Sequence, residues 1–242
     1  SSLRIGDTYY DKQFYKDVRD ISKNDIEGID AVVCLAAISN DPIGNDFEKA
    51  TNEINFQSTY NLAKLCSQNN VKKFIFASSC SMYGSGGNSA KKETDSTDPL
   101  TAYARSKIGL ENIIRSDKEI LNSDLDITFL RFSTACGKSD RLRLDLVLNA
   151  FVAGAVKYKK IRMWSDGSPL RPIIDVRDMC KAITWALTKD NDRRNNPLSI
   201  NIGSNEWNYS VLELAEKVKS HIPNTEIEIN KNAMPDKRSY KV

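Results

Sequence analysis

Three short, almost wholly apolar runs constrain this chain more than any other feature: Ile29 to Ala37, Lys72 to Ser78 and Ile127 to Phe132. Each is too brief for a free-standing helix and too continuously apolar for a strand with one wet face, so each reads as a parallel strand buried on both sides. Between the first two, Ile54, Leu62, Leu65 and Cys66 recur at helical spacing within Phe47 to Gln68. A loop rich in Gly, Asn and Pro follows from Gly84 to Pro99, and then a predicted helix from about Ala102 to Leu121. Strand, helix, strand in alternation is the pattern of a doubly wound α/β sheet with helices on both faces.

Beyond Gly137 the texture changes. Helices are expected near Leu144 to Val156, Arg177 to Leu187 and Val211 to Val218, and strands at Ile161 to Trp164, Leu198 to Ile202 and Ile227 to Ile229. The expected organisation is a Rossmann-type domain over residues 1–142 with 172–203, and a smaller C-terminal lobe over 143–171 and 204–242. The polar stretch Ser85 to Asp98 is read as a loop.

Composition narrows the chemistry. With 242 residues, 40% of them hydrophobic, the chain can bury a substantial core. A net charge of +3 without a dense basic run gives no reason to expect nucleic acid or a membrane surface as partner. The five cysteines are widely spaced and lack a C-x-x-C pair, so they read as reduced thiols of a cytoplasmic protein. No apolar run approaches the roughly 20 residues that span a bilayer. The single histidine, His221, excludes a multi-histidine metal site, and no metal is expected. Acid/base work falls to Tyr, Lys, Ser, Asp or Glu.

Tyr103 and Lys107 lie four residues apart in a predicted helix, hence on one face about one turn apart. A fixed ammonium favours the phenolate, so Lys107 is expected to bring Tyr103 closer to neutral pH as a general base. On their own, two such residues are commonly just solvated. The strand ending at Ser78, however, runs into Ser79-Cys80-Ser81-Met82-Tyr83-Gly84, which puts hydroxyls where doubly wound sheets bind ligands.

With these segments in order about two dozen residues apart, the chain resembles the extended short-chain dehydrogenase/reductase family, and within it the nucleotide-sugar epimerases and dehydratases. Asp17-Val18-Arg19-Asp20, Leu35-Ala36-Ala37, Asn55 with Thr59 and Asn61-Leu62, Pro99 ahead of Tyr103, and Leu130-Arg131-Phe132 all fall in the family's order. The resemblance implies NAD as cofactor and a nucleotide sugar as substrate. It implies Ser79, Tyr103 and Lys107 as the catalytic set, with Asn55 at a helix kink behind them. The cofactor would meet Asp17, Val18, Leu35, Ala36, Ala37, Ser78, Tyr103, Lys107 and Phe132. The substrate would meet Ser79, Ser81, Thr134, Asn149, Trp164, Arg171 and Arg238, the arginines on the diphosphate, where a planar fork bonds phosphate oxygens well. Plainer alternatives stay open: Asn55 facing solvent, Trp164 as core packing and Arg171 as a surface charge. A homodimer through the two helices Phe47 to Gln68 and Ala102 to Leu121 is also implied.

Three departures qualify the resemblance. The sequence holds no G-x-x-G-x-x-G loop, which is expected upstream of Ser1 with the first βαβ segment. Cys80 and Ser81 stand where dehydratases of the family carry Asp and Glu, so a 4,6-dehydratase is disfavoured. Asp175 stands where many relatives carry His. The expected activity is epimerisation through a transient keto sugar. A reductase or dehydrogenase using the same residues, and an inactive sugar-nucleotide-binding remnant, are the competing readings.

Overall fold

The computed structural model describes residues 10–190, 196–230 and 236–242. A 3-10 turn at Val18–Asp20 and the short α1 (Lys23–Ile26) lead into β1 (Ala31–Cys34). A long helical passage follows: α2 (Asp41–Asp46), α3 (Glu48–Asn52), a π-helical turn at Glu53–Gln57, and α4 (Ser58–Gln68). Next come β2 (Lys73–Ser79), a 3-10 turn at Cys80–Tyr83, β3 (Ser85–Ala90), α5 (Ala102–Ser116), α6 (Lys118–Leu121), β4 (Asp126–Phe132) and β5 (Thr134–Cys136). The remainder is α7 (Val147–Tyr158), β6 (Lys160–Met163), β7 (Leu170–Asp175), α8 (Val176–Thr188), β8 (Leu198–Ile202), β9 (Asn208–Ser210), α9 (Val211–His221), β10 (Glu226–Ile229) and β11 (Ser239–Lys241).

Strands β1, β2, β4 and β8 form one parallel sheet in that order. The pleat sends alternate side chains to opposite faces. Phe74 and Phe76 of β2 thus join Ile127 and Phe129 of β4 under Leu62, Leu110 and Ile114 of the helices on one face, where Phe76 and Phe129 meet edge to face at 6.2 Å. Ile75, Leu130 and Phe132 pack on the other face against Ala186, with Met179 and Ile183 partly buried beside it. Both faces are covered, which is why these strands read as continuous apolar runs. A second core gathers Phe151 and Ala155 of α7, Ile161 and Met163 of β6, and Leu214 and Val218 of α9, together with Cys136 and Ile173.

The structure corrects the reading of residues 85–98 as loop throughout. Ser85–Ala90 is a strand, paired in parallel with β11 near the other end of the chain. Its composition carries no strand signal, and the pairing comes from tertiary contact. Gly84 turns the chain into it at φ +53, where an added Cβ would overlap the Asp98 carbonyl. The single helix expected over Phe47 to Gln68 is instead two α-helical pieces joined by the π turn.

Candidate active site

The carboxyl ends of β2 and β4 lie side by side, with Ser79 in register with Phe132. They open on a cavity of about 560 Å³ lined also by Leu35, Ala37, Ser81, Tyr103, Lys107, Thr134, Arg143, Trp164, Arg171 and Arg238. Helix α5 delivers Tyr103 and Lys107. Its start is set by the Thr101 side chain, which accepts from the Ala104 N–H at 3.2 Å, and by Asn45, which accepts from the Ala102 N–H at 3.1 Å. Ser79 caps the turn that follows it, accepting from the Ser81 N–H at 3.2 Å.

Lys107 is 2% exposed. Its ammonium donates to the Ala77 carbonyl at 2.7 Å and sits over the rings of Phe76, at 4.3 Å, and Tyr103, at 5.4 Å. Burial pulls its pKa down to about 8. The Tyr103 phenol is pushed up to about 12, chiefly by burial, with Asp41 adding to the rise and the Ser79 hydroxyl opposing it through a hydrogen bond. The expected lowering of Tyr103 by Lys107 is therefore corrected: its phenol is raised. Desolvation of the enclosed phenol outweighs the influences that lower it, the Ser79 hydrogen bond and the Arg143 charge.

Asn55 faces inward, fully buried in the π turn. Its amide accepts from the Ile38 N–H at 2.7 Å, donates to the Ile38 carbonyl at 2.9 Å and donates to Ser106 Oγ at 3.3 Å. It therefore ties the loop after β1 to the helix that carries Tyr103 and Lys107. The extra residue of a π turn lets one side chain project off the regular helical ladder, which is why such turns recur at functional sites.

Arg171, which also lines the cavity, is 8% exposed, so it is not a surface charge. It pairs with Asp236 at 2.6 Å. Arg238 also pairs with Asp236, at 2.9 Å, and reaches Asp41, another lining residue. Trp164, 76% exposed at the mouth, is not core packing. Three enclosed oxygens of cavity-lining residues, Asp41 Oδ1, Ser81 Oγ and Ser133 Oγ, have no hydrogen-bond partner among the described residues.

Of the other expected residues, Asn149, Asp17, Val18 and Ala36 lie apart from the cavity lining. Asn149 accepts from the Gly137 N–H at 3.3 Å and donates to the Arg143 carbonyl at 3.0 Å, so its amide is committed to the backbone. Asp17 caps its own 3-10 turn and grips Arg19 at 3.0 Å, with Val18 beside it. Ala36 is exposed next to Ala37 without lining the cavity. Ser78 lines it, but its hydroxyl donates to Glu111 at 2.6 Å. Asp175 caps α8 and packs so closely on Gly137 that an added Cβ there would lie 2.8 Å from its carboxylate. The sequence reading missed Asp41, Arg143 and Asp236, which belong to segments without periodicity, and Glu111, whose place four residues after Lys107 was a usable signal.

The sequence model of the NAD dependent epimerase/dehydratase family matches residues 12–203. The uncharacterised UDP-glucose epimerase YtcB of Bacillus subtilis strain 168 is 29% identical over 166 residues, covering 68% of this chain and 51% of that protein. A putative UDP-glucose 4-epimerase of Methanocaldococcus jannaschii is 26% identical over 213 residues, covering 85% and 66%. The chain spans about half the length of several curated relatives that it matches. Among solved structures, the UDP-N-acetylglucosamine 4-epimerase of Methanobrevibacter ruminantium M1, in complex with UDP-N-acetylmuramic acid, superposes with a TM-score of 0.81 at 23% identity, covering 95% of this chain and 72% of that one. Likeness at that identity speaks for the fold, and the match over residues 12–203 speaks for more: the chain belongs to the NAD dependent epimerase/dehydratase family.

Proposed function

We propose that this chain carries the catalytic and substrate-binding parts of an NAD-dependent nucleotide-sugar epimerase that works through a transient keto sugar. The observation that carries the reading is one cavity lined both by Ser79, Tyr103 and Lys107 and by Arg171 and Arg238. A proton-transfer group and two guanidiniums lining one cavity suit a sugar bearing a diphosphate.

The residues present fit the nicotinamide half of NAD. Lys107 is enclosed and makes no ion pair, its ammonium bonded to one carbonyl, which leaves donors for a ribose diol. The walls at Leu35, Ala37 and Phe132 are apolar. NAD, when bound, supplies a reversible hydride acceptor at the sugar carbon. Tyr103 takes the proton of the reacting hydroxyl and returns it, while Ser79 hydrogen-bonds the same oxygen and holds it against the phenol. Ser81, with its free Oγ, and Thr134 meet the sugar, and Trp164 borders the base. Cys80 carries no acid/base role: it is buried, its thiol pushed up to about 12 by burial, and it donates to the Arg131 carbonyl at 3.0 Å. That supports epimerisation over dehydration.

The proposal includes a cofactor part of 1–142 with 172–203, a substrate lobe of 143–171 and 204–242, a homodimer through the helical segments Phe47 to Gln68 and Ala102 to Leu121, and a cytoplasmic setting. Among the described residues no helix is long and apolar enough to cross a membrane. Light scattering at micromolar concentration should give twice the subunit mass for the full-length protein.

The test is turnover of nucleotide sugars by full-length protein, with the products separated and nicotinamide absorbance followed. An epimer should form with no net absorbance change, and Tyr103→Phe should lower kcat about 10²- to 10⁴-fold while sugar-nucleotide affinity stays within a few fold. A variant keeping more than a tenth of wild-type kcat would sink the assignment of Tyr103. Stoichiometric accumulation of reduced cofactor would turn the reading into a dehydrogenase.

A further inference from the structure

We infer that Glu111 is a positioning residue that sets the spacing between Ser79 and Tyr103, an inference that rests on reading those two as the proton-transfer pair. Glu111 lies on α5 four residues after Lys107 and eight after Tyr103, so it shares their face of the helix. It is completely buried and outside the cavity lining. Its carboxylate accepts from Ser78 Oγ at 2.6 Å, from Arg131 Nη2 at 2.7 Å and from Ser199 Oγ at 2.7 Å. These donors sit on β2, β4 and β8. One carboxylate thus ties the helix bearing Tyr103 to three neighbouring strands, and its β2 contact is the residue immediately before Ser79.

The far side of Ser79 is held by the same network. Arg131 Nη1 donates to the Tyr83 hydroxyl at 2.9 Å, and that hydroxyl donates to Asn201 Oδ1 at 2.8 Å. Tyr83 ends the turn that Ser79 begins, so Ser79 is bracketed by directional bonds. A buried ion pair is poor evidence for stability, since well-packed apolar side chains would hold helix to sheet at least as firmly. What directional bonds add is a fixed slide and rotation of the helix. A displacement of about 1 Å at reacting groups costs on the order of 10²-fold in rate.

The experiment uses full-length enzyme. Ser78→Ala removes one bond and leaves the Glu111–Arg131 pair whole, and Glu111→Asp keeps the charge but draws the carboxylate back by one methylene. In both, kcat should fall about ten- to a hundredfold with KM for the sugar nucleotide within about twofold and Tm within a few degrees. In both, the Tyr103 phenol, followed by NMR of isotope-labelled tyrosine, should titrate at higher pH as its bond from Ser79 loosens. Wild-type kcat and an unmoved Tyr103 titration in Ser78→Ala would overturn the inference, as would a loss explained entirely by lower Tm or weaker NAD affinity. Should the wild-type protein turn over no nucleotide sugar, the functional reading falls, and the Tyr103 titration still decides the positioning role.

Discussion

Lys107 is an enclosed cation without a carboxylate beside it, and that fixes how its removal should act. Its pKa falls from an ordinary 10.5 to about 8, roughly 3 kcal/mol against the charged folded state at neutral pH. The folded chain releases this proton near pH 8, whereas the unfolded chain holds it to 10.5. Stability from this group is therefore lowest below pH 8 and rises between 8 and 10.5. Tyr103 acts in the opposite sense, lowering stability only as pH climbs from 10 toward about 12. Lys107→Met should abolish turnover yet raise Tm at pH 7 by a few degrees, part of the gain being offset by the orphaned Ala77 carbonyl. Calorimetry at pH 7 and pH 10 checks it: a variant less stable than wild type at pH 7 refutes the desolvation argument. Arg171→Ala, in turn, should weaken sugar-nucleotide binding by about 2 to 5 kcal/mol and leave free sugar unaffected, because a buried guanidinium is lost from the diphosphate end of the proposed site. Equal affinities by titration calorimetry would remove Arg171 from the substrate site. Residue types with a chemical signature, the Tyr–Lys pair and the serine turn, were legible in the sequence. The partners that tune Tyr103 were not, because Asp41 and Arg143 reach the cavity from separate segments.

At the scale of elements, the strands of the parallel sheet were readable because both faces are buried. Leu198–Ile202 falls where its sequence places it, and β4 is buried along all seven residues even though it contains Asp126, Thr128 and Arg131. Strand β3 was not readable, since its Ser, Gly and Asn have no strand preference without β11. The π turn was invisible to periodicity, which reports an apolar face and not one inserted residue; only the family resemblance implied a kink at Asn55. Yet this turn sets Asn55 where it satisfies both backbone groups of Ile38. Asn55→Leu would leave that N–H and carbonyl without partners inside the protein, each costing about 1 to 3 kcal/mol. The expected result is a Tm lower by roughly 5 °C or more, with kcat falling because Ser106 and the loop after β1 lose their tie. An unchanged Tm would mean that water replaces the amide, and the loop would then not depend on the turn.

The described residues hold two main cores, one on the helix-covered face of the sheet and one under α7 and α9, and polar contacts join segments that line the cavity. Arg143 donates to Ser39 Oγ at 2.6 Å, Asn40 donates to Asp145 at 3.0 Å, and Arg238 reaches Asp41. Arg143 and Asp145 remain over a third exposed, so their pairing is screened by salt and contributes little on its own. The core under α7 and α9 is also the smaller of the two main cores, and it should open more readily than the sheet, where β2 and β4 are sealed on both faces. A ligand that meets Tyr103 and Lys107 on one side and Arg171 and Arg238 on the other would replace weak polar bridges with one bound body. By mass action, ligand at about 100 times its Kd stabilises the closed form by roughly 2.7 kcal/mol, about a hundredfold slowing of any opening that breaks the site. Native-state hydrogen exchange on the full-length protein should therefore show α7 and α9 amides exchanging faster than those of β2 and β4, and slowing on addition of the nucleotide sugar while the sheet changes little. In Arg171→Ala the protection of α7 and α9 should largely disappear. Uniform exchange across both cores, or protection confined to the sheet, would show that the cavity is not closed by its ligand from both sides.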